Sequence, residues 1–201
     1  MNTSKMAEKW KKLIQKLEIL VGEGQETLDA ETLSATEAEY KIILPSDYKE
    51  FCQVLGSGEL SDIARVCCPT KFFIKASERR VQEAIRDIER FGENLKRDQQ
   101  YIEQLRSAFV FGESATGEYL IFWDLRTYQE SDGNYDIYWA NSVDPGGTDP
   151  VMLGRDFFNF IQNFCYGTEA FDLVPEYMEG SSPEDLSLTF YPLIFTHYTE
   201  G

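Results

Sequence analysis

The stretch LPSDYKEFCQVLGSGEL, residues 44–60, begins with a Leu-Pro step and ends with two glycines. Pro45 suits the first turn of a helix, where its missing N–H costs nothing, and Asp47 places a negative charge near the positive end of the helix dipole. Apolar side chains recur with helical spacing at Tyr48, Phe51, Cys52 and Leu55. Gly56 and Gly58 are expected to supply the positive φ values that end a helix and begin a turn. The stretch predicts a helix with one buried face that turns into a sheet.

Two more helices are predicted on the N-terminal side of this stretch. One face of a helix over residues 5–21 carries the apolar side chains Met6, Trp10, Leu13, Ile14, Leu17, Leu20 and Val21. Gly22 and Gly24 follow, so this N-terminal amphipathic helix is expected to end by residue 24. A weaker apolar pattern predicts a second helix near residues 28–40.

On the C-terminal side, residues 63–68 are typical of a strand, and residues 77–106 of a charged amphipathic helix that Gly92 kinks or divides. Three segments then show the patterns of an antiparallel meander: AFVFG (108–112), EYLIFWDL (118–125) and DIYWANS (136–142). A helix is predicted over residues 155–166. The C-terminal extension, residues 168–201, is expected to be irregular apart from a short strand near residues 193–198.

The composition is that of a globular protein, with 42% hydrophobic, 14% aromatic and 27% charged residues. The length is that of one domain, so we expect a single domain over residues 1–201. No run reaches the ~18 apolar residues of a membrane helix, and the N-terminus lacks the apolar stretch of a signal peptide. We therefore expect a cytoplasmic protein without membrane contacts. The cysteines form no CxxC pair and are expected to be core thiols: Cys52, Cys67, Cys68 and Cys165.

The net charge of -16 is distributed unevenly along the chain. Residues 1–106 carry a net charge of -2, whereas residues 107–201 carry -14 and contain only Arg126 and Arg155 as cations. Such a surface repels nucleic acid, because phosphate binding requires Lys and Arg to displace counterions. It attracts a basic protein instead and speeds the encounter with it. An acidic surface that only maintains solubility is the alternative.

Signals for catalysis and for cofactors are weak. His197 is the one histidine and has no nucleophile motif around it, and neither metal-ligand spacing nor a phosphate-binding glycine loop occurs. We therefore predict no catalytic residue, no metal and no cofactor. A hydrolase that uses Glu113, Glu118 or Asp124 as acid and base stays as a less favoured alternative, because acid pairs are frequent in so acidic a chain.

The order of these segments resembles the SUKH superfamily, which includes the yeast cell-wall-assembly regulator Smi/Knr. LPSDYKEFCQVLGSGEL is similar to the family signature, FGESATGEYLIFWDL (111–125) to its glycine hairpin, DIYWANS to its next strand and GRDFFNFIQNF (154–164) to its terminal helix. The resemblance covers about residues 28–166. It identifies ten structural motif positions: Leu44, Pro45, Tyr48, Phe51, Gly56, Gly58, Gly117, Trp139, Phe157 and Phe160.

This resemblance implies an α+β fold, with a central antiparallel sheet (a meander) flanked by helices. It also implies a binding function, since bacterial members look like immunity proteins that neutralise polymorphic toxins, while fungal relatives act as interaction scaffolds. The family is not known as an enzyme class. We therefore expect a protein partner, for example a basic toxin such as a nuclease, with a regulatory or scaffold protein as the alternative. Acids of the meander are the candidate partner-binding residues: Glu113, Glu118, Asp124, Glu130, Asp132 and Asp136.

Overall fold

An eight-stranded sheet with helices on both faces makes up this computed structural model, which describes residues 8–20, 27–92, 95–143 and 148–193. The helices are α1 (Glu8–Ile14), α2 (Ala30–Tyr40), α3 (Ser46–Val54), α4 (Lys71–Phe91), α5 (Leu95–Arg106), α6 (Phe157–Asn159) and α7 (Glu169–Leu173). The strands are β1 (Glu18–Ile19), β2 (Gly58–Leu60), β3 (Ala64–Val66), β4 (Ala108–Ser114), β5 (Tyr119–Gln129), β6 (Asn134–Asn141), β7 (Val151–Gly154) and β8 (Thr189–Pro192). A π-helix continues α6 over Phe160–Cys165, and Pro183–Asp185 forms a 3-10 turn.

The α+β class is confirmed and β4, β5 and β6 form the predicted antiparallel meander, but the sheet as a whole is mixed. The strand order is β1-β8-β2-β3-β4-β5-β6-β7. Antiparallel neighbours run from β8 through β2 to β7, whereas β1 and β8 are parallel. The sheet is mixed because the C-terminal strand returns to lie between the N-terminal strand and β2. Segments at the two ends of the chain therefore complete one sheet.

Helix α3 forms where the sequence predicts it. Pro45 is its N-cap residue, and the side chains of Tyr48, Phe51 and Cys52 are fully buried. Gly56 has the predicted positive φ, 71°, but Gly58 does not. A Cβ built on Gly58 would lie 2.1 Å from Phe190 Cζ, so glycine is required there by space and not by backbone conformation.

The two faces of the sheet carry separate apolar clusters. Ile121 and Trp123 of β5 belong to the larger cluster, which includes side chains of α1, α3, α6 and the π-helix. Leu120 and Phe122 point to the opposite face and join the cluster of α4 and α5. This alternation is the period of two of a strand that is buried on both faces. Burial of each large apolar side chain contributes roughly 1.5–3 kcal/mol to stability.

The N-terminal helix is shorter than predicted. The described part of α1 ends at Ile14, and residues 18 and 19 form β1 instead of continuing the helix. Glu18 N–H donates to Leu188 O at 2.8 Å and Leu20 N–H to Phe190 O at 3.1 Å. Pairing with a strand from the far end of the chain therefore overrides the helical apolar pattern of this segment. Trp10 and Leu13 are buried, as the pattern predicts.

The charged helix is divided at Gly92, one of the two predicted outcomes. Helix α4 begins earlier than expected, at Lys71, because Thr70 caps it by accepting from Phe73 N–H. Gly92 follows the last residue of α4 and its N–H donates to Ile88 O. Helices α4 and α5 then form a hairpin that covers one face of the sheet.

The C-terminal extension is more ordered than predicted. Residues 168–193 include α7, the 3-10 turn and β8. The predicted strand at residues 193–198 lies almost wholly outside the described residues, as does His197, and the observed strand precedes it. Tyr166 Oη donates to Thr189 O at 3.1 Å, which fixes β8 against the end of the π-helix.

Candidate partner-binding surface

Glu113 of β4 lies in a network of ions and is not a free acid. Arg80 of α4 pairs with its Oε2, and Arg65 Nη1 lies 3.4 Å from its Oε1. Arg65 Nε also pairs with Glu59 Oε2 at 2.6 Å. Arg80 in addition donates to Gly117 O at 2.6 Å. Two arginines of the N-terminal half thus pair with Glu113, and one of them, Arg80, also holds the β4–β5 turn.

Asp124 of β5 is buried, with 2% of its surface exposed. Its Oδ1 accepts from Ser107 Oγ at 2.8 Å and from Arg126 Nε at 2.9 Å. Burial by itself raises the pKa of Asp124, but the hydrogen bonds from Arg126 and Ser107 outweigh it, so the pKa lies below its usual value. The expectation that Asp124 faces a partner is therefore corrected: this carboxylate is an internal anchor.

Asp132 and Asp136 are both occupied by Arg155. Arg155 Nε lies 3.3 Å from Asp132 Oδ2, and its Nη1 pairs with Asp136 Oδ1. The same guanidinium donates to Thr127 O at 3.2 Å and to Asn134 O at 3.1 Å. A backbone hydrogen bond from Asn134 and the contact with Arg155 lower the pKa of Asp132. These acids stabilise the end of the β5–β6 hairpin.

The six candidate acids do not form one surface. Glu118 directly precedes and Glu130 directly follows the long strand β5 (Tyr119–Gln129), so they lie at opposite ends of that strand. Both are exposed, and neither forms an ion pair with a described residue. Among the six candidate acids, these two carry a negative charge that no described cation neutralises and that a partner can contact.

A denser set of free acids lies in the C-terminal extension, which the sequence analysis did not assign to the site. Residues 168–193 contain neither Lys nor Arg. Their six acidic residues are all exposed: Glu169, Asp172, Glu176, Glu179, Glu184 and Asp185. We call this set the C-terminal acidic segment. The net charge of -14 in residues 107–201 includes these six acids, but the total did not indicate which acids are free for a partner.

A cleft of about 220 Å³ lies between this segment and the sheet. Three rings form much of its wall: Trp139 is stacked on Tyr119 at 5.1 Å, and Tyr177 contacts Trp139 edge-on at 4.9 Å. Val174 and Glu176 lie at its border. We call it the aromatic cleft.

A second cleft of about 440 Å³ adjoins the first, because Tyr119, Glu176 and Tyr177 line both. Its lining contains four acids and no cation: Asp62, Glu118, Glu176 and Asp185. We call it the acidic cleft. The two clefts together present an apolar aromatic floor beside uncompensated negative charge.

The turn between β2 and β3 contributes Ser61 and Asp62 to the acidic cleft. Both have positive φ, 51° and 56°, and Ile63 N–H donates to Leu60 O at 3.0 Å across the turn. Ser61 and Asp62 are thus the central residues of a β-turn of the kind that glycine and asparagine favour, within a three-residue connection between the strands. Ser61 Oγ donates to Ser187 O, so the turn also holds the C-terminal extension in place.

Among the described residues, no group of three or more potential ligands could hold a metal ion. The four cysteines are free and buried, and burial raises the pKa of the Cys67 and Cys165 thiols well above its usual range. None of the helices in the described ranges has the length and apolar character needed to cross a membrane.

The sequence of this chain matches a known protein family. Residues 27–163 match the model of the SMI1 / KNR4 family (SUKH-1). The chain belongs to the SUKH-1 family. No curated protein and no solved structure matched the chain.

The SUKH-1 match contains all ten structural motif positions and ends within the π-helix. The motif side chains Tyr48, Phe51, Phe157 and Phe160 pack together, with Phe157 centred 5.3 Å from Tyr48 and 5.6 Å from Phe51. These positions form the core of the domain. The C-terminal acidic segment lies outside the SUKH-1 match, although β8 of the same extension belongs to the sheet.

Proposed function

We propose that this SUKH-1 protein is a non-enzymatic, cytoplasmic immunity protein that neutralises a basic toxin, such as a nuclease, by binding it. Family membership supports a role in binding partner proteins. The exposure and lack of compensation of the C-terminal acidic segment support a basic partner. This observation carries the proposal, because a nuclease presents Lys and Arg to the phosphates of its substrate.

The arrangement of charge favours one side of the molecule for this contact. Arginines occupy Glu113, Asp124, Asp132 and Asp136, so these acids attract a partner less strongly than their number suggests. Of the exposed acids without an ion pair among the described residues, Glu118, Glu176 and Asp185 line the acidic cleft. Complementary charge of this kind raises association rates by orders of magnitude at low salt and loses its effect as salt screens it.

The test is co-expression with the toxin candidate encoded by the neighbouring gene, followed by recovery of the complex. Growth rescue and a complex that weakens with salt are expected. A variant with Gln or Asn at Glu169, Asp172, Glu176 and Glu179 should associate more slowly and protect poorly. The matched control removes four exposed acids of α4, so its net charge is identical: Glu78, Glu83, Asp87 and Glu89.

Retained protection by the control and its loss in the C-terminal variant would support the proposal. Equal loss of protection in both variants would mean that only the net charge of the protein matters, and not the position of the acids. Absence of rescue and of a complex with every neighbouring gene product would overturn the proposal.

In the scaffold alternative, the N-terminal helix and the C-terminal extension would serve as the docking segments for a partner. In the structure Trp10 of α1 is 1% exposed, and β8 lies between β1 and β2. The described parts of both segments, Trp10 in the core and β8 in the sheet, are therefore packed against the rest of the protein. The hydrolase alternative loses one of its candidate acids, since the Asp124 carboxylate is buried and bound by Arg126.

A further inference from the structure

The aromatic cleft differs from the rest of the acidic surface because it combines rings, small volume and a buried unpaired donor. Trp139 is 2% exposed, and its indole Nε1–H has no hydrogen-bond acceptor among the described residues. Trp10 and Trp123 also lack acceptors, but only Trp139 of the three lines a cleft described here. A bound segment of protein carries backbone carbonyl groups that can accept from such a donor.

The volume indicates what kind of group can enter. About 220 Å³ is below the roughly 300–1,000 Å³ of pockets that hold a whole small-molecule ligand. It suits one side chain of a partner, with the adjoining acidic cleft receiving the chain on either side. Tyr119, Trp139 and Tyr177 supply aromatic surface for that side chain.

The acids that line the cleft indicate which type of partner side chain fits it. Glu176 lies at the border of both clefts, is exposed and forms no ion pair with a described residue. Asp149 also lines the aromatic cleft, but Arg97 Nε lies 3.5 Å from its Oδ1. A guanidinium group is planar, stacks on aromatic rings and binds carboxylates with two parallel hydrogen bonds, whereas an ammonium group is more strongly hydrated.

We propose that the cleft formed by Tyr119, Trp139 and Tyr177 binds an arginine side chain of the protein partner, with Glu176 as its carboxylate. The inference rests on the proposed function, since it names the residue type through which a basic partner is recognised. The guanidinium stacks on the rings, and its N–H groups donate to the carboxylate of Glu176. A lysine in the same position loses the stacking and the paired hydrogen bonds.

The test follows the indole N–H resonances of the ¹⁵N-labelled full chain during titration with short peptides. The probes are acetyl-Gly-Ser-Arg-Ser-Gly-amide and the same peptide with lysine or citrulline in place of arginine. The Trp139 resonance should shift in a saturable way with the arginine peptide, whereas those of Trp10 and Trp123, which lie in the core, should stay unchanged. Lysine should bind several-fold more weakly, and citrulline more weakly still.

Two variants with equal charge change make the test specific. Glu176→Gln should raise the dissociation constant of the arginine peptide about threefold to tenfold, equivalent to no more than about 1.4 kcal/mol. Glu78→Gln, which removes an exposed acid of α4 that lines neither cleft, should leave it unchanged.

No Trp139 shift with millimolar arginine peptide, equal binding of the citrulline peptide, or equal effects of the two variants would overturn the inference. These outcomes are separate from the fate of the proposed function. A toxin complex that Glu176→Gln leaves intact removes the arginine site but keeps the immunity role. Failure to find any complex removes that role, while the peptide titration still decides the cleft.

Discussion

The backbone of Gly58 lies directly against the ring of Phe190, so that a Cβ on residue 58 would lie 2.1 Å from Cζ and 2.2 Å from Cε2 of that ring. Gly58 lies within the SUKH-1 match, whereas Phe190 lies in the C-terminal extension beyond it. Their strands are neighbours, with Gly58 opposite Pro192 and Leu60 opposite Phe190. The extension is therefore fitted to the family core at a position where only glycine leaves room.

Gly58→Ala should destabilise the protein by about 1–3 kcal/mol, the usual cost of forcing extra volume into a packed core. The Phe190 ring is fully buried and cannot move into solvent without exposing apolar surface. Urea denaturation followed by tryptophan fluorescence measures the effect, since all three tryptophans are buried.

The control is Phe190→Leu, alone and combined with Gly58→Ala. A smaller side chain at residue 190 gives the new methyl group space, so the double variant should be at least about 1 kcal/mol more stable than the sum of the single effects predicts. Strict additivity would show that the two residues do not interact as the structure indicates.

Tyr48→Phe should destabilise the protein by about 1–2 kcal/mol, because it leaves a buried acceptor unsatisfied. Tyr48 Oη donates to Cys67 O at 2.6 Å, and the ring is fully buried. Burial also raises the pKa of the Tyr48 phenol, so the hydroxyl remains a donor throughout the pH range of stability. Denaturation by urea at pH 7 provides the measurement.

Tyr191→Phe serves as the matched control, since that ring is 40% exposed and water can replace contacts of its hydroxyl. Its stability should change by less than about 0.5 kcal/mol. An equal effect at both positions would argue against the importance of the Cys67 carbonyl.

Asp124 predicts a stability that falls in acid. Its folded pKa is below the usual 3.8, so near that value the unfolded state binds more protons than the folded one. The contribution of this carboxylate is therefore complete above pH 3.8 and is lost as the pH falls through the folded pKa. Asp124→Asn should destabilise the protein at pH 7 by about 1–3 kcal/mol and flatten the acid limb of the curve.

The measurement is the free energy of unfolding from pH 7 down to pH 3 for both proteins. Glu130→Gln, at an exposed acid without an ion pair among the described residues, should leave the curve nearly unchanged. A parallel curve for Asp124→Asn would mean that other carboxylates account for the acid sensitivity.

Local patterns predicted the central elements of this fold well. Helix α3 follows from Pro45, Asp47 and the buried spacing of Tyr48 and Phe51, and the strands β4 to β6 follow from their turns and apolar content. Strand β1 could not be predicted in this way, because its two residues become a strand only through pairing with β8. The same limit applies to Gly58, whose space requirement comes from a ring 132 residues later.

The sequence predicted that the candidate site is negatively charged, but it did not predict where in the fold the site lies. The excess of acids in the second half was evident, but the pairing of Glu113 with Arg65 and Arg80 joins residues that are far apart in sequence. Asp124 and Arg126 are different, since residues two apart in a strand share a face and their pairing could have been anticipated. The clefts form only where the C-terminal extension meets the sheet, which no local pattern reveals.

Lys41 at the end of α2 offers a stabilising change. It has φ 54° and ψ 44°, the left-handed conformation that commonly ends helices and that glycine adopts without steric cost. Its N–H donates to Glu37 O, and its side chain is exposed, so a substitution disturbs only the backbone preference. Lys41→Gly should raise the free energy of unfolding by up to about 1 kcal/mol, whereas Lys41→Ala keeps the strained conformation and should give no gain. Urea denaturation of the three proteins measures this, and an equal gain from alanine would attribute the effect to removal of the lysine charge.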